Sequence, residues 1–97
     1  MRMLMKMQLP VERGNEAIKD GSLQRTMESL MGGLKPEAAY FFAEDGMRTA
    51  LMVFDMQDSS EVPSAAEPAF MQLNAAVSFT PVMNADDLQK GLKAALA

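Results

Sequence analysis

Ninety-seven residues make one domain, residues 1–97, near the lower end of what a single hydrophobic core supports. An apolar fraction of 48% excludes a wholly disordered chain, and a net charge of −4 with acids and bases interspersed excludes the clustered cationic surface that nucleic acid requires. The absence of cysteine removes disulfides and thiolate chemistry, and the absence of histidine removes the commonest neutral-pH base and transition-metal ligand.

The opening "MRMLMKMQLP" has a signal-peptide flavour, but Lys6 and Gln8 interrupt the apolar run and no small-residue cleavage site follows. No segment approaches the roughly 20 apolar residues of a membrane span. The expectation is a soluble, cytoplasmic protein without a membrane partner. Residues 3–9 alternate instead, with Met3, Met5, Met7 and Leu9 on one side and Leu4, Lys6 and Gln8 on the other. That period predicts a strand, ended by Pro10. Eleven methionines are unusual; core filling is the ordinary role of so adaptable a side chain, and a plastic binding surface is the alternative.

From residue 11 to 31 the pattern predicts a helix. Leu23, Met27, Leu30 and Leu34, with Met31 beside them, recur at helical spacing, and Ala17 and Ile18 also call for burial. Gly14 and Gly21 weaken or kink it, and Gly32-Gly33 is the expected stop.

Residues 40–56, "YFFAEDGMRTALMVFDM", fold back at Asp45-Gly46 as a two-residue hairpin. That register sets Phe42 opposite Thr49, Tyr40 opposite Leu51 and Ala38 opposite Val53. One face then carries Tyr40, Phe42, Leu51, Val53 and Asp55, and the other carries Phe41, Arg48, Met52, Phe54 and Met56. Both faces are apolar.

Within "DSSEVPSAAEPAFMQLNA" a loop leads into a second helix, capped by Ser59 or Ser60, kinked or restarted at Pro68, and buried through Phe70, Met71 and Leu73. "AAVSFTPVM" reads as a fourth strand with Val77, Phe79 and Met83 in phase, and Pro81 assigns it to an edge. A last helix begins at the Asn84 cap, with Asp86 and Asp87 at the positive end of its dipole and a stripe of Leu88, Leu92, Ala95 and Leu96.

The order is β-α-β-β-α-β with a C-terminal helix. It predicts an α+β, ferredoxin-like domain: a four-stranded antiparallel sheet with its main helices on one face. The helices cover one side, so the second apolar face of the hairpin needs another cover. A homodimer through that sheet face supplies it; the C-terminal helix swung across the same face is the alternative.

The stretches "PVERGNEAIKDG", "KPEAAYFF", "DMQD", "AEPAFMQLNA" and "PVMNADDL" together resemble a group of short, mostly bacterial hypothetical proteins. These are similar to the dimeric α/β-barrel superfamily, in which two ferredoxin-like chains close their sheets around a shared interior. The resemblance implies a dimeric α/β barrel and no particular reaction. It also implies a Trp-Phe pair after Glu67-Pro68, where this chain has Ala69-Phe70, so a pocket built on that ring is altered. The wider superfamily includes cofactor-independent monooxygenases, lactone isomerases and haem proteins. Several of these use a histidine that this chain lacks.

Candidate site residues follow from the face opposite the helices. Gln8, Tyr40, Thr49 and Asp55 would line a ligand site there, and Lys6 joins them. Lys6, Tyr40 and Asp55 are the candidate catalytic groups, with Lys6 and Asp55 as an ion pair or an acid and base, and no cofactor or metal. An ordinary interface ion pair and a core tyrosine account for the same residues. Asn15 and Lys19 near a helix start form a weaker anion candidate without a dinucleotide or Walker spacing. Glu44, Asp45, Asp86 and Asp87 sit at turn and cap positions without calcium-loop spacing. The functional readings are a dimer binding a small apolar or aromatic metabolite, a cofactor-independent isomerase or monooxygenase-like enzyme, and a monomeric interaction module.

Overall fold

A computed structural model describes residues 1–97. The chain runs β1 (Arg2–Gln8), α1 (Val11–Asp20), α2 (Ser22–Leu34), β2 (Ala38–Glu44), β3 (Met47–Asp55), a 3-10 turn (Ser59–Glu61), α3 (Val62–Leu73), β4 (Ala76–Pro81) and α4 (Ala85–Ala95). The four strands form one antiparallel sheet in the order β2-β3-β1-β4, consistent with the ferredoxin-like plan.

Alternation along β1 builds the floor of the core. Met3, Met5 and Met7 stand opposite Phe54, Met52 and Ala50 of β3, and all six are buried beneath the helices. The roof sets small residues, Ala17 from α1 and Ala65 and Ala69 from α3, beside the larger Leu73 of α3 and Leu30 of α2. Alanine lets a helix sit close to the sheet, and the unbranched methionines below adjust to the gaps that remain.

The hairpin register is the one expected. Phe42 pairs with Thr49, Tyr40 with Leu51 and Ala38 with Val53, and Asp45 (φ 55°) and Gly46 (φ 75°) form the turn. Positive φ at both central residues is what a mirror-image two-residue turn requires. β4 lies at an edge, as Pro81 implies.

The helices depart from expectation where local breakers compete with packing. The predicted helix over 11–31 is two helices joined at Gly21, whose φ of 80° no L-residue adopts cheaply. The Asp20 carboxylate accepts the Ser22 amide at 2.8 Å, which satisfies one open donor of α2, and the Ser22 hydroxyl and then its amide draw that carboxyl below its ordinary range. Gly32 and Gly33 do not stop α2. It continues to Leu34, which packs against the core, and ends where Lys35 turns left-handed before Pro36.

α3 does not restart at Pro68 but runs unbroken from Val62 to Leu73. The carbonyl that Pro68 leaves unpaired belongs to exposed Ser64, where water can reach it, while burial of Ala65, Ala66, Ala69 and Leu73 offsets the proline's cost. That alanine face displaces the expected one, so Phe70 and Met71 are exposed, as is Ile18 on α1. The side-chain cap falls on the 3-10 turn that leads into α3 and is Asp58 rather than Ser59 or Ser60: it accepts the Ser60 amide at 2.9 Å, while Glu61 accepts the Gln57 amide at 2.8 Å. Met83 falls outside β4 and is exposed.

α4 begins at a reciprocal cap between Asn84 and Asp87, as the sequence implies. Its stripe covers nothing, because Leu88, Leu92 and Leu96 are all exposed. The chain is correspondingly extended, with a radius of gyration of 15.2 Å against about 12.5 Å for a compact chain of this length.

The glycines offer a test. Replacing Gly21 by Ala forces a Cβ into the left-handed region and within 3.0 Å of Arg25 Nη1, and should cost about 1–2 kcal/mol in urea unfolding. Gly32→Ala, in open space inside α2, should stabilise by about 0.5–1 kcal/mol.

Candidate functional site

The sheet face away from the helices is a grid of cross-strand rows. Ala38, Val53, Leu4 and Thr80 form the first; Tyr40, Leu51, Lys6 and Ser78 the second; Phe42, Thr49, Gln8 and Ala76 the third. Its β2–β3 half is apolar and its β1–β4 half polar. Tyr40 is 65% and Phe42 40% exposed, so neither α4 nor any loop of the chain roofs this face.

The polar candidates take different places on the grid. Lys6 pairs with Glu44 at 2.5 Å rather than with Asp55. Asp55 lies opposite Arg2, four residues along the strand from the Lys6 row, a separation of about 13 Å. The Asp55 carboxylate accepts a hydrogen bond from the Met1 ammonium at 2.7 Å and another from the Gln57 amide. Its pKa is therefore held below the ordinary carboxylate range, first by the ammonium and then by Gln57. A carboxylate so stabilised is a poor general base at neutral pH.

Thr49 is buried and saturated, its hydroxyl donating to the Met47 carbonyl at 3.1 Å and accepting from Gln8 Nε2 at 3.3 Å. Gln8 Nε2 also donates to the Glu44 carbonyl at 3.0 Å. Of the proposed ligand-facing groups, Tyr40 is the one left open, and Lys6 and Gln8 line a shallow depression of about 220 Å³ with Ser78. At the far end Arg2 is held by Glu37 at 2.6 Å and by Asp87 of α4, two carboxylates that keep its guanidinium charged. No three acidic side chains converge as metal ligands would.

The larger apolar concavity lies mostly on the helix side. A groove of about 380 Å³ opens between Leu23 and Met27 of α2 and Phe41 of β2, with Arg48 as its one charged lining residue. Sequence reading placed Phe41 and Arg48 on this face but not the gap: it arises because β2 is an edge strand and α2 does not reach over it, leaving Phe41 60% exposed.

A scan against protein-family models found none that matches the chain, and a search of curated proteins found no match.

The state of Asp55 is measurable. Its carboxyl carbon, followed by NMR, should titrate below the ordinary aspartate value of about 3.9. A depressed folded pKa means that its stabilising share is complete above the unfolded value and fades as pH falls through the folded one. Unfolding experiments below about pH 4 should register that loss.

Proposed function

We propose that the protein works as a homodimer closed over the open sheet face, and that a small apolar or aromatic metabolite binds between the two sheets. One observation carries this reading. The chain exposes 6331 Å², where a compact monomer of its mass exposes about 5,500 Å². The excess, about 800 Å², is what each partner contributes to a standard interface. The proposed interface draws on two of the exposed apolar features, Tyr40 and Phe42 on the open sheet face and the leucine stripe of α4. Leaving the large apolar side chains in water forfeits roughly 1.5–3 kcal/mol for each one fully buried in an interface.

The βαββαβ order supports placing the chain with the dimeric α/β-barrel superfamily. The proposal includes a cytoplasmic setting, and no helix is long and apolar enough to cross a membrane. Tyr40 supplies a phenolic hydroxyl above an aliphatic floor, which suits a ligand carrying one acceptor on an apolar frame.

The second reading, a cofactor-independent isomerase or monooxygenase-like enzyme, draws on Lys6 and Tyr40 sharing one cross-strand row. Asp55 joins them only if the partner's sheet brings its own copy over that row.

Light scattering on the purified chain should give twice the monomer mass, and Leu51→Lys should give the monomer mass with an unchanged circular dichroism spectrum. A monomeric native chain would instead leave the interaction module standing. A metabolite panel should raise the melting temperature of the native dimer for at least one apolar or aromatic compound. A flat response across the panel would remove the ligand from the proposal while leaving the dimer.

A further inference from the structure

We propose a second binding site, on the helix side of the sheet: the groove between α2 and β2 takes an amphiphilic monocarboxylate, with its apolar body between Met27 and Phe41 and its carboxylate on Arg48. The lining is apolar apart from the guanidinium and Thr49, and the floor is closed by Met7 and Ala50. At the roughly 30 Å³ that a water-sized group occupies in a liquid, about a dozen heavy atoms fill the groove. That is the size of a ten-carbon acyl carboxylate or a short aryl-alkyl one.

Arg48 is held for such a task and not spent on another. Its Nη2 donates to the neutral Asn15 Oδ1 at 3.0 Å, and no carboxylate lies within ion-pair distance of it. Two acids of α1, Glu16 and Asp20, are turned to Arg13 at 3.4 and 3.7 Å. A planar guanidinium with free donors beside an apolar trough matches a carboxylate with an apolar tail.

The backbone makes room for that head group. Gly14 is buried in the middle of α1, where glycine costs about 1 kcal/mol of helix stability relative to alanine, and a Cβ there would lie 2.7 Å from Arg48 Nη1. The sequence gives up helix propensity at the one place where a methyl group would push the guanidinium out of position. Gly14 is thus a positioning residue for Arg48.

Most of the groove lining lies on the helix side of the sheet, with Phe42 and Thr49 at its border with the open face; Leu51, which does not line the groove, lets the two ideas fail separately. The probe is decanoate, kept below its micelle-forming concentration, with decanol as the uncharged control. Binding is read from the methyl signals of 13C-methyl methionine, since Met7 and Met27 line the groove and Met56 lies in the core outside it. Decanoate should shift Met7 and Met27 saturably. Arg48→Gln should weaken decanoate at least tenfold and change decanol less than twofold. Gly14→Ala should weaken decanoate severalfold without lowering the melting temperature, which a purely structural role for Gly14 would not do. Leu51→Lys should leave decanoate affinity unchanged. The proposal is overturned if decanoate leaves Met27 unmoved or shifts open-face amides instead. Equal binding of acid and alcohol, insensitive to Arg48→Gln, also overturns it. So does a Met27 shift that depends on protein concentration alone, which assigns the groove to a second copy of the chain.

Discussion

The pairing of β2 with β3 fixes what every other part of the molecule does. A two-residue turn with positive φ at Asp45 and Gly46 permits one register, and the strand period then assigns each residue of both strands to a face. A slip by one residue would send Met52 and Phe54 to the open side and bring Leu51 and Val53 under the helices. The open patch, the placement of Arg48 on the helix side and the exposure of Phe41 beside the groove all descend from that turn.

Above this frame the core joins two kinds of side chain that suit each other. Met5, Met7, Met52 and Met56 are each about 99% buried, and they lie beneath helices whose inner faces are largely alanine. Alanine brings backbones close but leaves an uneven ceiling, and three-torsion thioethers fill such ceilings without branching constraints. The arrangement also accounts for an unbroken α3. Docking of Ala65, Ala66, Ala69 and Leu73 outweighs one missing backbone bond whose orphaned carbonyl faces water.

Signals that act within a few residues were legible in the sequence: the Asp45-Gly46 turn, the alternation of β1, the Asn84 cap and the two-faced hairpin. Helix limits were not, because Gly32, Gly33 and Pro68 carry local penalties of a few kcal/mol at most and the burial of Leu34 and Leu73 answers them from a distance. The candidate site was legible as a face and illegible as a cluster. Sharing a face placed Lys6 and Asp55 on the same side, but position along the strands parts them, and each found another partner. The helix-side groove depends on how far α2 extends over an edge strand, and no periodicity encodes that overlap.

α4 is an 11-residue helix tied to the body by an ion pair, Arg2 to Asp87. Helices of this length are marginal in water on their own, and a reciprocal cap at one end only slows the unravelling. Its ordered state is therefore on loan from whatever lies against its leucines. Amide protons of residues 85–95 would act as a gauge of occupancy, exchanging within seconds when the stripe is bare and slowing by orders of magnitude once it is sheltered.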